Sequence, residues 1–214
     1  MLVGDPFAPT AVRDPGKAIE DHIADALVAL ELPQVRAASS IADLGAGAGV
    51  PGLPLAISLP AAQVYLVESN ARKCEFLART IAACAVPNAH VVHVRAECWT
   101  DGLGVCGVVT ARALAAPAVV AEYAAPLLVI GGTAVAWQGR RDRCAELAVA
   151  RAGDELGLEV AEPLAVQPYP KAEHRHLQLM LKVRETPSRF PRRPGFAVKR
   201  PLGGFGRERA DGAR

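Results

Sequence analysis

Residues 41–52 read IADLGAGAGVPG, an apolar run that ends in an acid and continues into glycines at alternate positions. The apolar part is typical of a buried strand. The glycines let the backbone approach a ligand closely because they carry no Cβ. A strand that ends in such a loop is how an α/β sheet presents its edge to a bound nucleoside. The stretch therefore predicts a nucleoside site between Asp43 and Gly49.

Two kinds of cofactor fit this loop in different ways. Residues 47–52 match the dinucleotide fingerprint G-x-G-x-x-G, in which free N–H groups at a helix N-terminus hold a pyrophosphate. Pro51 and Pro54 lie where those donors are needed, and proline has no N–H. S-adenosyl-L-methionine has no phosphate and carries a cationic sulfonium, so an acid at Asp43 beside the glycines favours it. An NAD(P)-dependent oxidoreductase stays as the alternative.

The composition indicates one domain with a basic appendage. The chain has 214 residues, of which 51% are hydrophobic and 21% charged, enough for one substantial core. From Arg184 onward it has nine Lys/Arg and three Asp/Glu, whereas residues 1–183 have 15 basic and 19 acidic side chains. We therefore divide the chain into an N-terminal helix region at 1–38, a main domain at 39–184 and a basic, proline-rich tail at 185–214.

The cysteines and the apolar segments favour a cytoplasmic protein. The five cysteines are odd in number and have no C-x-x-C spacing, which is typical of reduced cysteines. The N-terminus lacks the basic and apolar pattern of a secretory signal. Residues 113–137 contain a single charge, Glu122, but two prolines and a Gly-Gly pair interrupt the run. We therefore expect a buried helix, a turn and a strand there rather than a membrane span.

Apolar residues alternate between helix-like and strand-like periods along the chain. The N-terminal helix is expected near residues 15–30, with Ile19, Ile23, Leu27 and Leu30 on one helical face. Seven strands are expected, at residues 41–44, 64–67, 90–94, 107–110, 133–137, 160–167 and 177–183. With helices between them, this order predicts an α/β, Rossmann-like fold.

Polar residues follow three of the expected strands, and ligands in such sheets bind beyond the carboxyl ends of the strands. Glu68 follows the second strand, where its carboxylate could accept from both ribose hydroxyls of a nucleoside. Glu97 follows the third and could accept from an adenine amino group, or else form a surface ion pair with Arg95. Arg112 follows the fourth, and a charge inside an apolar run needs a partner or a ligand.

The tail interleaves cations, prolines and phenylalanines. Proline keeps such a segment extended, cations can follow a phosphate backbone, and Phe can stack on a base. The candidate RNA-binding residues are Arg189, Arg192, Arg193, Lys199 and Arg200. A solvated, disordered terminus is the alternative. Because the acids that would bind the nucleoside belong to the main domain, we expect removal of the tail from Pro187 onward to leave nucleoside binding nearly unchanged.

In this order the motifs resemble the RsmG family, formerly called GidB, whose members are bacterial methyltransferases of guanine N7 in 16S ribosomal RNA. The resemblance runs from about residue 13 to residue 202. It is carried by the glycine–proline loop at 43–56, Lys73 with Phe76-Leu77, Arg95-Ala96-Glu97, Arg112-Ala113, Arg175-His176-Leu177 and Phe190-Pro191-Arg192. It implies a seven-stranded class I S-adenosyl-L-methionine-dependent methyltransferase fold with a basic C-terminal tail. The main domain at 39–184 would then be the methyltransferase domain.

The resemblance also implies a site. By it, Gly45, Val50, Ala96, Glu97 and Arg112 bind S-adenosyl-L-methionine. Position along the strands and the loop adds Asp43, Gly47, Gly49 and Glu68 to the expected cofactor site. The implied partner is 16S rRNA within the small ribosomal subunit or its precursor.

The chemistry of this reaction is undemanding. N7 of neutral guanine offers an in-plane lone pair, so we expect no general base and no metal, only placement in a dry pocket. Arg112 is the candidate catalytic residue, which would orient guanine through O6. His174 and His176 have no nearby cysteine cluster, which is typical of a strand edge rather than a zinc site. The family's Lys-Gly after the fifth strand reads Gln138-Gly139 here, so a non-catalytic rRNA-binding or ribosome assembly factor is a second alternative.

Overall fold

The fold is known from a computed structural model, in which residues 2–204 are described. The strands of this part are β1 Ser40–Leu44, β2 Gln63–Glu68, β3 Ala89–His93, β4 Cys106–Arg112, β5 Leu128–Gln138, β6 Leu158–Val160, β7 Leu164–Ala165 and β8 His176–Lys182. They form one sheet in the order β3-β2-β1-β4-β5-β8-β6, and β7 pairs with β8. Strands β1 to β5 run parallel, whereas β8 is antiparallel to β5.

The expected strand at 160–167 is instead two short strands. β6 ends at Val160 and β7 begins at Leu164, and Pro163 lies between them. Proline has no N–H to donate to a strand ladder, so it interrupts the pairing with β8. The described part of the sheet therefore has eight strands rather than seven.

The helices lie before, between and after the strands. Their bounds are α1 Pro15–Ala18, α2 Asp25–Leu27, α3 Pro33–Arg36, α4 Gly52–Ser58, α5 Ala71–Cys84, α6 Pro117–Ala124, α7 Arg143–Leu156 and α8 Phe196–Lys199. Side-chain oxygens of Asn70 and Asp142 accept from backbone N–H groups in the first turns of α5 and α7. Such caps satisfy donors that have no partner within the helix, which fixes where each helix begins.

The N-terminal helix is irregular. A π-helical stretch at Ile19–Ala24 joins α1 to α2, and a 3-10 stretch at Val28–Glu31 follows α2. The i→i+5 hydrogen bonds of a π-helix change the phase of the side chains around the axis. Ile19, which the periodicity places on the same apolar face as Ile23 and Leu27, is 62% exposed.

The sheet is covered by apolar layers on both faces. Along β1, Ala42 and Leu44 pack in the layer that contains α6 and α7, whereas Ile41 packs in the layer that contains α4. The strand order reverses between β1 and β4, because β2 lies on the other side of β1. In open α/β sheets the ligand crevice lies at this switch point, beyond the carboxyl ends of the strands.

In residues 2–204, none of the helices has the length and apolar character that crossing a membrane requires.

Candidate functional site

The glycine loop is held from below by Asp43, which is 1% exposed. Its Oδ2 accepts from the N–H of Gly52 at 2.9 Å, and its Oδ1 accepts from the hydroxyl of Thr110 at 2.9 Å. A Cβ at residue 52 would lie 2.8 Å from Oδ2, so this approach requires glycine. We expected Asp43 to contact the cofactor, but its carboxylate lies under the loop and positions it.

Burial has a clear electrostatic effect on Asp43. It raises the pKa of the carboxyl to about 7, although both hydrogen bonds favour the ionised form. The loop therefore rests on an acid that titrates near neutral pH.

The loop itself is shaped by positive φ angles. Gly45, Gly47 and Gly49 have φ values of 67°, 55° and 83°, in the left-handed region that side chains disfavour. Gly45 also lies close to Leu114, whose Cδ1 would be 2.7 Å from a Cβ at that position. A Cβ at Gly49 would lie even closer to Cδ1 of Leu53. The alternation of glycines is thus required by backbone conformation and by close approaches at Gly45 and Gly49.

Glu68 ties the end of β2 to the loop. One carboxylate oxygen accepts from the N–H of Gly47 at 3.1 Å, and the other accepts from the N–H of Asn70 at 2.9 Å. A carboxylate has about four acceptor positions, so two remain for a ligand. The position expected for a ribose contact is therefore fixed by backbone groups on both sides.

A cavity of about 330 Å³ opens at the carboxyl ends of β1 to β4. Its lining includes Gly45, Glu68, Ala96 and Glu97 of the expected site, together with Tyr123 and Val198. Gly49 and Val50 instead line a separate apolar cavity of about 260 Å³, between the loop and the N-terminal helix. The structure thus brings four of the expected cofactor residues together around one cavity and places these two on the opposite side of the loop.

Glu97 is one end of an ion pair and a wall of the cavity at once. Its Oε1 accepts from Nε and Nη2 of Arg95, at 3.0 and 2.8 Å, and from the N–H of Gly195 at 3.0 Å. Burial raises the pKa of this carboxyl, but hydrogen bonds from its own N–H, Arg95 and Gly195 outweigh burial, and the pKa is lowered overall. Glu97 is consequently ionised where it faces the cavity.

Arg112 points toward the N-terminal helix. Its two terminal nitrogens lie 2.9 Å from Oδ2 of Asp25 and 3.0 Å from Nδ1 of His22. Asp25 is buried and also lies 3.4 Å from Nε of Arg175. Burial raises the pKa of Asp25, against the attraction of both arginines.

Sequence reasoning missed this cluster. It singled out Arg112 as a charge that needs a partner, but did not identify Asp25 as that partner. The sequence does contain a signal for this role, because Asp25 is an acid that lies between the apolar residues Ala24 and Ala26 of the N-terminal helix. His22 belongs to the same cluster, and its Nε2 lies 2.8 Å from the hydroxyl of Thr10. Burial, followed by the Arg112 charge, lowers the pKa of His22.

The tail packs against the main domain up to Gly204, and residues 205–214 lie outside the described range. Arg192 binds Glu122 of α6, which is fully buried, through its backbone N–H and its guanidinium. A buried carboxylate is costly without a partner, and Arg192 supplies one. Arg189 forms an exposed ion pair with Glu155 at 3.0 Å.

Our expectation of an extended tail was therefore wrong, and the tail also reaches the pocket. Gly195 donates to Glu97, Val198 lines the cavity, and α8 is helical. The guanidiniums of Arg193 and Arg200 lie 5.2 and 5.9 Å from the ring centre of Phe196. RNA binding stays a prediction for all five candidate cations, Arg189, Arg192, Arg193, Lys199 and Arg200.

Within residues 2–204 no group of three or more His, Cys, Asp or Glu side chains is arranged to hold a metal. His176 instead contacts the carbonyl oxygen of Gly139 at 2.9 Å, and His174 contacts Arg140 at 3.3 Å. All five cysteines are free thiols.

Comparison with known protein families gives a match over most of the chain. The model of the GidB family, described as rRNA small subunit methyltransferase G, matches residues 4–176. The Ribosomal RNA small subunit methyltransferase G of Chloroflexus aggregans is 42% identical over 210 residues, covering 94% of this chain and 85% of that protein. The protein of the same name from Rubrobacter xylanophilus is 37% identical over 200 residues, covering 91% and 77%.

Solved structures agree on the fold. A SAM dependent methyltransferase from Aquifex aeolicus superimposes with a TM-score of 0.62 at 14% identity, covering 79% of this chain and 94% of that one. A predicted O-methyltransferase from Agrobacterium tumefaciens gives a TM-score of 0.58 at 24% identity, covering 74% and 80%. At these identities the likeness concerns the fold alone, and the fold is the one that we expected.

Proposed function

The chain belongs to the rRNA small subunit methyltransferase G family, and from this membership we propose that it transfers a methyl group from S-adenosyl-L-methionine to N7 of a guanine in 16S rRNA. The resemblance noted in the sequence is thereby confirmed at the level of the family.

One observation carries the choice of cofactor: the glycine loop already uses its own donors. The N–H of Gly45 donates to the carbonyl of Val67, that of Gly47 to Glu68, and that of Gly52 to Asp43. A pyrophosphate needs such donors free. The ionised Glu97 and the carboxylate of Glu68 face the same cavity, and their negative charges disfavour an anionic ligand such as a pyrophosphate. The loop therefore suits a phosphate-free, cationic cofactor better than a dinucleotide.

When bound, S-adenosyl-L-methionine supplies an electrophilic methyl group on its sulfonium. In our proposal Glu68 accepts from the ribose hydroxyls with the two acceptor positions that Gly47 and Asn70 leave free. Ala96 and Glu97 face the adenine. Asp43 keeps the loop in place from beneath without touching the ligand.

In this proposal Arg112 contacts both the N-terminal helix and the target guanine. Two of its five N–H donors are used by Asp25 and His22, so others remain for O6 of a guanine. Because N7 has its own lone pair, the chain needs no base there and must only exclude water and align the guanine. Asp25 then acts as a positioning residue that fixes the guanidinium of Arg112.

We also propose the setting of the reaction. N7 lies in the narrow major groove of A-form RNA, so the target guanine must be unpaired or otherwise accessible. Small ribosomal subunits or their precursors in the cytoplasm would present such a guanine. Arg193, Lys199 and Arg200 of the tail would contact its phosphates.

The test is transfer of labelled methyl to small-subunit RNA isolated from cells that lack this protein. The product should be 7-methylguanosine, identified by mass mapping of nuclease fragments. Binding of S-adenosylhomocysteine but not NAD is expected in calorimetry. Failure of methyl transfer with retained RNA binding would instead support the non-catalytic assembly factor, to which the Gln138-Gly139 departure points.

A further inference from the structure

The cavity has a wall that neither the glycine loop nor the acids of the strand ends provide. Tyr123 of α6 lines it, and the residue is only 5% exposed. The Tyr123 hydroxyl is buried without a hydrogen-bond partner among the described residues 2–204. Buried polar atoms in native proteins are rarely left in this state, and a bound ligand is one explanation for those that are.

The surroundings of Tyr123 identify the end of the cavity to which it belongs. Burial raises the pKa of the Tyr123 hydroxyl, followed by the negative charge of Glu97. Glu97 is the acid that our proposed function places at the adenine. Tyr123 is therefore beside the purine end of the cavity and keeps its proton at neutral pH, so that it can donate a hydrogen bond.

The tail lines the same end of the cavity. Gly195 donates to Glu97 at 3.0 Å, and Val198, three residues later, lines the cavity although it is 58% exposed. An apolar side chain exposed at the mouth of a cavity gains burial when a flat aromatic ligand enters. The tail is held there by Arg192, which binds the fully buried Glu122, next to Tyr123 in α6.

We infer that Tyr123 and the tail segment 195–198 complete the purine end of the cofactor site. The hydroxyl of Tyr123 donates to a ring nitrogen of the adenine, and Val198 covers one face of the purine. The inference rests on the proposed function, since it takes the adenosyl group as the occupant of the cavity.

The first test is Tyr123→Phe, measured by calorimetric binding of S-adenosylhomocysteine. Loss of one hydrogen bond should weaken binding about 3- to 10-fold. The same loss is expected for 5′-methylthioadenosine, which keeps the adenosine and lacks the amino acid. The melting temperature of the ligand-free variant should not fall, because the hydroxyl has no partner to lose. Tyr65→Phe is the matched control, since the ring of Tyr65 packs against His90 and Trp99 outside the cavity.

The second test is Val198→Asp, which places a negative charge over the purine beside Glu97. Binding of S-adenosylhomocysteine should weaken several-fold, whereas Val183→Asp, at a similarly exposed valine outside the cavity lining, should leave it unchanged.

The outcomes separate this inference from the function on which it rests. If the unaltered protein does not bind S-adenosylhomocysteine, the proposed function fails and the inference with it. If the unaltered protein binds and both Tyr123→Phe and Val198→Asp bind as tightly, the cofactor is held without Tyr123 and the tail, and only the inference is overturned.

Discussion

The guanidinium of Arg112 lies 2.9 Å from the carboxylate of Asp25, a residue 87 positions earlier in the chain. This pair joins the end of β4 to the N-terminal helix, and Trp137 of β5 strengthens the junction by donating from Nε1 to the carbonyl of Asp25 at 2.8 Å. The N-terminal helix is thereby part of the proposed catalytic end of the sheet.

Asp25→Asn should destabilise the protein because it leaves the charge of Arg112 without its counter-ion. Removing one partner of a buried pair costs about 3 to 5 kcal/mol, and we expect the lower end since the side chain of Arg112 is 21% exposed. Urea unfolding measures the loss. Asp5→Asn, which removes the partner of the exposed Arg79, is the control and should change little. Equal effects of the two substitutions would contradict the buried role of Asp25.

His22 should make stability depend on pH on the acid side. Its pKa is lowered in the folded protein, so the unfolded chain binds more protons. The contribution of neutral His22 to stability is therefore complete above the pKa of histidine in the unfolded chain, about 6.5, and is lost as pH falls below that value. Thermal melts from pH 5 to 8 should show a smaller fall toward acid in His22→Gln than in the unaltered protein. Parallel curves would show that folding does not lower the pKa of His22.

The pH dependence of stability that Asp43 causes should have the opposite sign to that of His22. The folded pKa of Asp43 is raised to about 7, so the folded protein binds more protons than the unfolded chain. Its contribution is complete below about 4 and is lost as pH rises through about 7. The amide of Asp43→Asn cannot ionise and still has an oxygen to accept from Gly52. Relative to the unaltered protein, this variant should gain stability between pH 5 and pH 8, and a constant difference across that range would refute the shift.

Gly52→Ala should displace the glycine loop, because its Cβ would lie 2.8 Å from Oδ2 of Asp43. Overpacking of this kind costs about 1 to 3 kcal/mol, and S-adenosylhomocysteine binding should weaken as the loop moves. Gly107→Ala provides the comparison, since the nearest atom to its Cβ would be 3.6 Å away. Equal free energies of unfolding for Gly52→Ala and Gly107→Ala would show that the close approach at Gly52 does not constrain the loop.

The tail cations can be tested through the salt dependence of RNA binding. Replacing Arg193, Lys199 and Arg200 by Gln should flatten the slope of log K against log salt by about 2, at ~0.7 per phosphate contact with a single strand. Arg189→Gln should change the slope less, because Arg189 is paired with Glu155. An unchanged slope in the triple variant would place the RNA elsewhere, with the cations near Arg140 and Arg141 as the next candidates.

The sequence predicted those features that depend on local rules. The strands and the glycine loop follow from apolar periodicity and from backbone conformation at Gly45 and Gly49, and both are properties of short segments. The partner of Arg112 could not be predicted in this way, because 87 positions separate it from Asp25 and only the folded sheet brings them together.

The role of Asp43 shows the same limit. An acid beside glycines is typical of a ligand contact, and its partners Gly52 and Thr110 become evident only from the order of the strands. The tail was misplaced for a related reason: its composition indicates exposure, but the buried Glu122 requires the charge of Arg192. Long-range charge pairing leaves no periodic signal in a sequence.

The hydrogen bond from Gly195 to Glu97 spans 98 positions, so the proposed cofactor site is completed by a residue that is synthesised long after Glu97. During synthesis, chains emerge N-terminus first at roughly 5 to 20 residues per second, so strands β1 to β5 and the glycine loop leave the ribosome well before residue 195. If the purine end of the site needs that residue, nascent chains arrested before it should be folded yet bind the cofactor more weakly than the complete chain does. The newly made enzyme would then reach its full affinity for the methyl donor only at the end of its own translation.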